Sequence, residues 1–283
     1  MIWPWQDRNR RFSSLKAGTF ALMFAPAVSL IYDLATGEFG PVPLGGLTYW
    51  SGLWATALLL LALAVTPALT ILRWRRLILV RRMVGVAALA YTIAHLFIYF
   101  ALRLWNFPFI ANEMATRLSL IVATASTIGL TALGATSLDA AIRRMGAQRW
   151  QQLHNAIYAL TALALLHYLL SPGIFPDQFL LSGLFFWLMA WRVLERRGRG
   201  SHAGALALLA VASCGFTALL EIGCLWAFRG YKVSEILNIY FTLALGVPPV
   251  WTILAVGLVI AVAAAGRQAW RAKPVGADGR ETG

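Results

Sequence analysis

The sequence predicts an all-α polytopic membrane helix bundle of about eight spans, a six-helix core followed by two C-terminal helices. Three observations carry this. Apolar types make up 60% of the 283 residues and charged types 12%, and the mean hydropathy is +0.71; soluble domains run at about 45–50% and about 25%. A single soluble core stops growing near roughly 250–300 residues, so this quantity of apolar side chain cannot all be hidden inside one. The apolar residues gather into runs of roughly 20, the length that crosses a bilayer, and the arginines gather between alternate runs. This composition excludes a soluble enzyme, a disordered chain and a disulfide scaffold. The period-two alternation of a membrane barrel is absent, and in lipid the helix is the other way to satisfy every backbone polar group.

The spans fall at about 17–35, 47–71, 83–105, 117–138, 150–171, 178–194, 203–228 and 247–267. Arg8, Arg10, Arg11 and Lys16 precede the first run, but no small-residue cleavage site follows, so the run reads as a retained helix rather than a signal peptide. Pro248-Pro249 would break a span centred on residue 245 and are harmless in the first turn of a helix that starts near Val247. Residues 233–246 then form a short interfacial piece, and the polar tail from Pro274 to Gly279 reads as flexible.

The basic residues set the expected orientation. Arg73, Arg75, Arg76, Arg81 and Arg82 follow the second span; Arg143, Arg144 and Arg149 the fourth; Arg192, Arg196, Arg197 and Arg199 the sixth; Arg267, Arg271, Lys273 and Arg280 the last. The intervening loops are poor in charge. Both termini and the even loops are therefore expected on the cytoplasmic side. The formal net charge of +13 is explained by these clusters and by anionic lipid headgroups, with no nucleic acid. Cys214 and Cys224 share one span and lie about 15 Å apart along a helix, too far to bridge.

Four histidines occur, at 95, 154, 167 and 202, and three fall inside spans, where an ionisable side chain is costly and marks a site by default. His95 lies 13 residues into the third span, about 20 Å, and His167 lies 17 into the fifth, about 25 Å, both entering from the same side. They share a depth. His154 is only about 6 Å in. Neutral imidazole is a good axial ligand for haem iron, and facing helices of a bundle often carry such ligands. His154 and His167 are about 140° apart on an ideal helix, so they cannot face one cofactor. A haem-free metal site is the other option, and it would want Cys, Asp or Glu alongside.

Two stretches carry a resemblance. Arg149-Trp150-Gln151-Gln152-Leu153-His154-Asn155, with Tyr158 and His167-Tyr168-Leu169, is similar to the fifth helix of the MsrQ (YedZ) family of haem-binding membrane subunits, within the ferric-reductase-like transmembrane family. Arg81-Arg82-Met83-Val84-Gly85 leading to Ala94-His95-Leu96 resembles its third helix; Thr66-Pro67 closing the second helix and Thr136-Ser137 closing the fourth also match. The likeness covers about residues 45–195. It implies a core at 17–197 carrying one or two haem b, with FMN as a further cofactor it allows, His95 and His167 as axial ligands of an outer haem, and His154 as a ligand of an inner one. It implies electron passage across the bacterial inner membrane, from the quinone pool or a flavin reductase to a periplasmic molybdopterin catalytic subunit of MsrP type that reduces methionine sulfoxide. Around that core lie a cytoplasmic N-terminus at 1–16, an additional two-helix segment at 198–270 and a cytoplasmic tail at 271–283. Leu53 stands where that family carries arginine, and the last two helices are extra to its six. His202 is a candidate partner for His154. Glu221, an intramembrane carboxylate, is expected to be protonated or to pair with Arg229. The alternatives are a transmembrane ferric reductase with another acceptor, and a haem-free transporter or scaffold with structural histidines.

Overall fold

The computed structural model describes residues 3, 5, 6, 11–173, 176–242 and 246–272. Among these residues the chain is helical and forms no strand. The basic residues Arg8, Arg10, Lys273 and Arg280 and the tail from Pro274 to Gly279 lie outside the described residues. The helices are α1 (Ser14–Leu22), α2 (Ala25–Thr36), α3 (Pro43–Leu72), α4 (Ile78–Leu102), α5 (Phe107–Thr116), α6 (Leu118–Ala135), α7 (Asp139–Met145), α8 (Ala147–His154), α9 (Ile157–Leu170), α10 (Pro176–Arg196), α11 (Ala203–Arg229), α12 (Val233–Thr242) and α13 (Pro249–Ala272).

Each predicted run is helical, and local chemistry explains the departures. The first is broken between Leu22 and Ala25 because Pro26, at the start of α2, has no N–H to continue the ladder. The fifth is pinched at Asn155-Ala156 into α8 and α9, so the ideal-helix angle between His154 and His167 does not apply. Pro67 does not close α3: the helix runs on to Leu72 with Pro67 in its interior. The short outer piece after α11 is α12, with residues 243–245 outside the described set, and α13 opens at Pro249.

Among the described residues, seven stretches are long and apolar enough to cross a membrane: 14–36, 43–72, 75–102, 118–135, 147–170, 203–229 and 249–270. The predicted sixth span forms α10, but Gln178, Ser182 and Arg192 dilute its apolar face and it falls short of that measure. The protein is a multi-pass membrane protein.

The chain divides into two compact units, Met1–Thr66 with Arg75–Leu181, and Pro67–Trp74 with Ser182–Gly283. In the first, Leu58 and Leu59 of α3, Val84 and Ala88 of α4 and Leu130 of α6 form a buried cluster. Gly129 of α6 lets Leu160 of α9 approach so closely that a β-carbon would collide with it, the small-residue contact typical of helices in lipid. In the second, Gly257 of α13 does the same for α11: a β-carbon would lie 2.5 Å from that of Ala210. There Glu221 accepts a 3.0 Å hydrogen bond from the Tyr240 hydroxyl of α12, which takes the place of the expected pairing with Arg229. His202 stands at the N-terminus of α11.

Candidate functional site

The first unit forms a partly open cavity of about 650 Å³, within the usual range of about 300–1,000 Å³ for cofactor sites. Its walls come from α3, α4, α6 and α9 and are mostly apolar, with Leu59, Leu96, Phe100, Leu120 and Ala164 among them. His95 and His167 both line it. Their ring centres are 6.4 Å apart and their planes inclined at 67°.

Each ring is fixed from behind by backbone. His95 Nδ1 lies 2.9 Å from the Thr48 carbonyl, and Ser51 Oγ is 3.2 Å from the same nitrogen. His167 Nδ1 lies 2.9 Å from the Ser119 carbonyl. A carbonyl only accepts, so each Nδ1 carries the proton, and in the neutral ring Nε2 holds the lone pair. This is how proteins fix the tautomer and orientation of a ligating imidazole. Gly52 supplies the space for the His95 ring. A β-carbon there would meet Cε1 at 2.9 Å and Nδ1 at 3.1 Å.

These features fit an iron porphyrin. An imidazole nitrogen is about 1.1 Å from its ring centre and about 2.0–2.1 Å from a metal, so two rings that would both hold one ion have centres up to about 6.3 Å apart. The 6.4 Å separation matches, and the apolar cavity offers walls for a macrocycle. A haem-free metal centre finds no support: among the described residues no three His, Cys, Asp or Glu side chains come together.

His154 stands apart from this cavity. Its Nε2 is 3.2 Å from Ser137 Oγ, its Nδ1 is 3.1 Å from the Trp150 carbonyl, and its ring stacks on Trp150 at 3.9 Å. Trp150 in turn donates Nε1–H to the Thr136 carbonyl at 3.0 Å.

Sequence reasoning missed the end of the cavity formed by Arg103 and Arg117. Both line it, and both hold Glu113 of α5, a carboxylate with 7% of its surface exposed. Arg103 Nε is 2.9 Å from Oε2, and Arg117 Nη1 is 2.5 Å from Oε1. The Tyr99 hydroxyl donates to Oε2 at 2.7 Å. Burial opposes ionisation of Glu113, but the Tyr99 hydroxyl and the two guanidiniums prevail and hold its carboxyl below the usual range. A second polar group, the Tyr49 hydroxyl donating to Asp177 at 2.7 Å, also borders the cavity through Tyr49.

Residues 51–165, which span His95 and His154 and stop just short of His167, match the family described as the ferric reductase like transmembrane component. Relatives named protein-methionine-sulfoxide reductase heme-binding subunit MsrQ align over more of the chain. That of Azospira oryzae is 34% identical over 194 residues, 68% of this chain and 83% of the relative. That of Cronobacter sakazakii is 36% identical over 191 residues, 66% of this chain and 95% of the relative. The chain belongs to the MsrQ family. A third MsrQ, from Polaromonas naphthalenivorans, is 33% identical over 62% of this chain and 81% of its own. No solved structure matches the chain. The relatives are named as heme-binding subunits, which speaks against the alternative of a haem-free transporter or scaffold with structural histidines.

Proposed function

We propose that the protein is the haem-binding membrane subunit of a methionine sulfoxide reductase system. It would carry electrons across the bacterial inner membrane, from the quinone pool or a flavin reductase, to a periplasmic molybdopterin subunit that performs the reduction. The observation that carries this reading is the His95–His167 pair, 6.4 Å apart in one apolar cavity with each Nδ1 tied to a carbonyl. Haem b supplies one-electron chemistry at its iron. The chain's own part is to ligate through the two Nε2 atoms, to keep the rings neutral and oriented through Thr48 and Ser119, and to exclude water with the α3, α4, α6 and α9 walls. The apolar surroundings and the hydrogen bonds behind the ligands tune the potential.

A second, inner haem at His154 requires Nε2 to exchange Ser137 for iron. FMN is the further cofactor to test for in the same preparation.

The test is the visible spectrum of the purified chain, with iron counted as pyridine haemochrome. A reduced b-type band that disappears in His95→Ala and in His167→Ala supports the reading. One iron per chain, retained in His154→Ala, assigns the paired site alone; two, falling to one, assigns the inner site as well. A folded, colourless protein overturns the haem reading. Copurification with a periplasmic molybdopterin protein, and reduction of the band by quinol or by reduced flavin, tests the partner and the donor.

A further inference from the structure

The walls of the cavity are mostly apolar, but one end carries two guanidiniums. Arg103 follows the last turn of α4 and Arg117 precedes the first turn of α6. The short helix α5 runs between them and presents Glu113, which does not itself line the cavity. Asn106 starts α5 by accepting the Phe109 N–H at 3.1 Å, with Pro108 in its first turn. Arg103 is further held over the rings of Tyr99 and Phe109, at 5.5 and 5.7 Å. Two cations thus share one carboxylate, which leaves this cluster of three with an excess of one positive charge; the other carboxylate beside the cavity, Asp177, is engaged by the Tyr49 hydroxyl. A guanidinium has five N–H donors and a carboxylate about four acceptor sites. Glu113 has already given one to Tyr99, so it cannot use most of what the two arginines offer.

We propose that Arg103 and Arg117 bind the carboxylates of the cofactor that His95 and His167 ligate, with Glu113 as the positioning residue that spaces them. The assignment rests on the haem reading above. A porphyrin with two propionates is apolar over most of its surface and anionic at one edge. A cavity with apolar walls and cationic groups at one end is complementary to that distribution, and guanidinium is the side chain suited to bidentate contact with carboxylate. The end of the cavity therefore also sets which way round the macrocycle enters.

The experiment uses the full-length chain made in haem-deficient cells and titrated in detergent with haemin or with haemin dimethyl ester, whose propionates carry no charge. The wild type should bind haemin about tenfold more tightly than the ester, the size of one charge-assisted contact. Arg103→Gln and Arg117→Gln should each shrink that preference several-fold, chiefly by weakening haemin, and Arg117→Lys should restore part of it. Glu113→Gln keeps both cations but loses the group that spaces them: a positioning role lowers the preference for haemin, whereas a raised preference, as removal of a competing negative charge would give, overturns the positioning role of Glu113. Equal affinity of the wild type for the two porphyrins overturns the assignment without any variant. So does an equal loss of both in the arginine variants, which marks a structural role, or a preference that follows the phosphatidylglycerol content of added vesicles, which assigns the arginines to lipid headgroups. Uptake of neither porphyrin by the folded wild type removes the haem reading itself, and this assignment with it.

Discussion

Residue 52 shows how little room the site leaves. The His95 ring occupies the space where any other residue would carry its β-carbon, 2.9 Å from Cε1. Gly52→Ala must push the ring away from the Thr48 carbonyl and Ser51. Disturbing such a supporting contact lowers metal affinity by about 10- to 100-fold. We expect Gly52→Ala to lose haem to that extent while its helix content and thermal unfolding stay near wild type; unchanged haem affinity in this variant would show that the ring does not depend on this packing. The two histidines were readable in advance because rise per residue converts sequence position into depth, and ionisable groups in apolar runs are conspicuous. Their supports were not. The acceptors are backbone carbonyls of Thr48 and Ser119, which leave no side-chain signature, and Gly52 is one of several glycines in the same helix.

At the scale of elements, α5 is the piece that the apolar-run reading passed over. Asn106 with Pro108 is a recognisable helix start, but a helix this short does not stand out beside spans twice its length. The helix matters because it places Glu113 between two arginines. That carboxyl is held below the ordinary range, so its ionised form stabilises the folded state at neutral pH. The contribution is complete above the unfolded value of about 4.3 and fades as pH falls through the lower folded value. Glu113→Gln should therefore destabilise the protein by about 1 kcal/mol at pH 7, the scale of a partly exposed ion pair. Unfolding of wild type and variant in detergent should converge as pH falls through that lower folded value; a gap that persists once the carboxyl is protonated in both states would trace the effect to packing rather than charge. The pinch at Asn155-Ala156 was equally hidden, since neither residue is a strong helix breaker, and it is what separates α8 with His154 from α9 with His167.

For the whole molecule the open quantity is the number of crossings. Among the described residues seven stretches qualify by length and apolarity, and α10, with its polar residues, is the eighth helix in question. Charge decides between the counts. If α10 did not cross, Arg197 and Arg199 would share a side with the 171–173 loop, and every basic cluster after it would also change sides relative to those before. The positive-inside rule disfavours that arrangement at each of these loops. If α10 crosses, all clusters lie on one side of the membrane, the side on which the charge rule expects the cytoplasm. Its Gln178, Ser182 and Arg192 are tolerable because polar groups in a span turn toward other helices and long basic side chains reach for the interface. With Cys214 and Cys224 replaced by Ser, a single cysteine at Pro172 should react with an impermeant maleimide in intact spheroplasts, and one at Ser201 only after permeabilisation. Equal reactivity of both from outside would mean that α10 lies along the surface and that the count is seven.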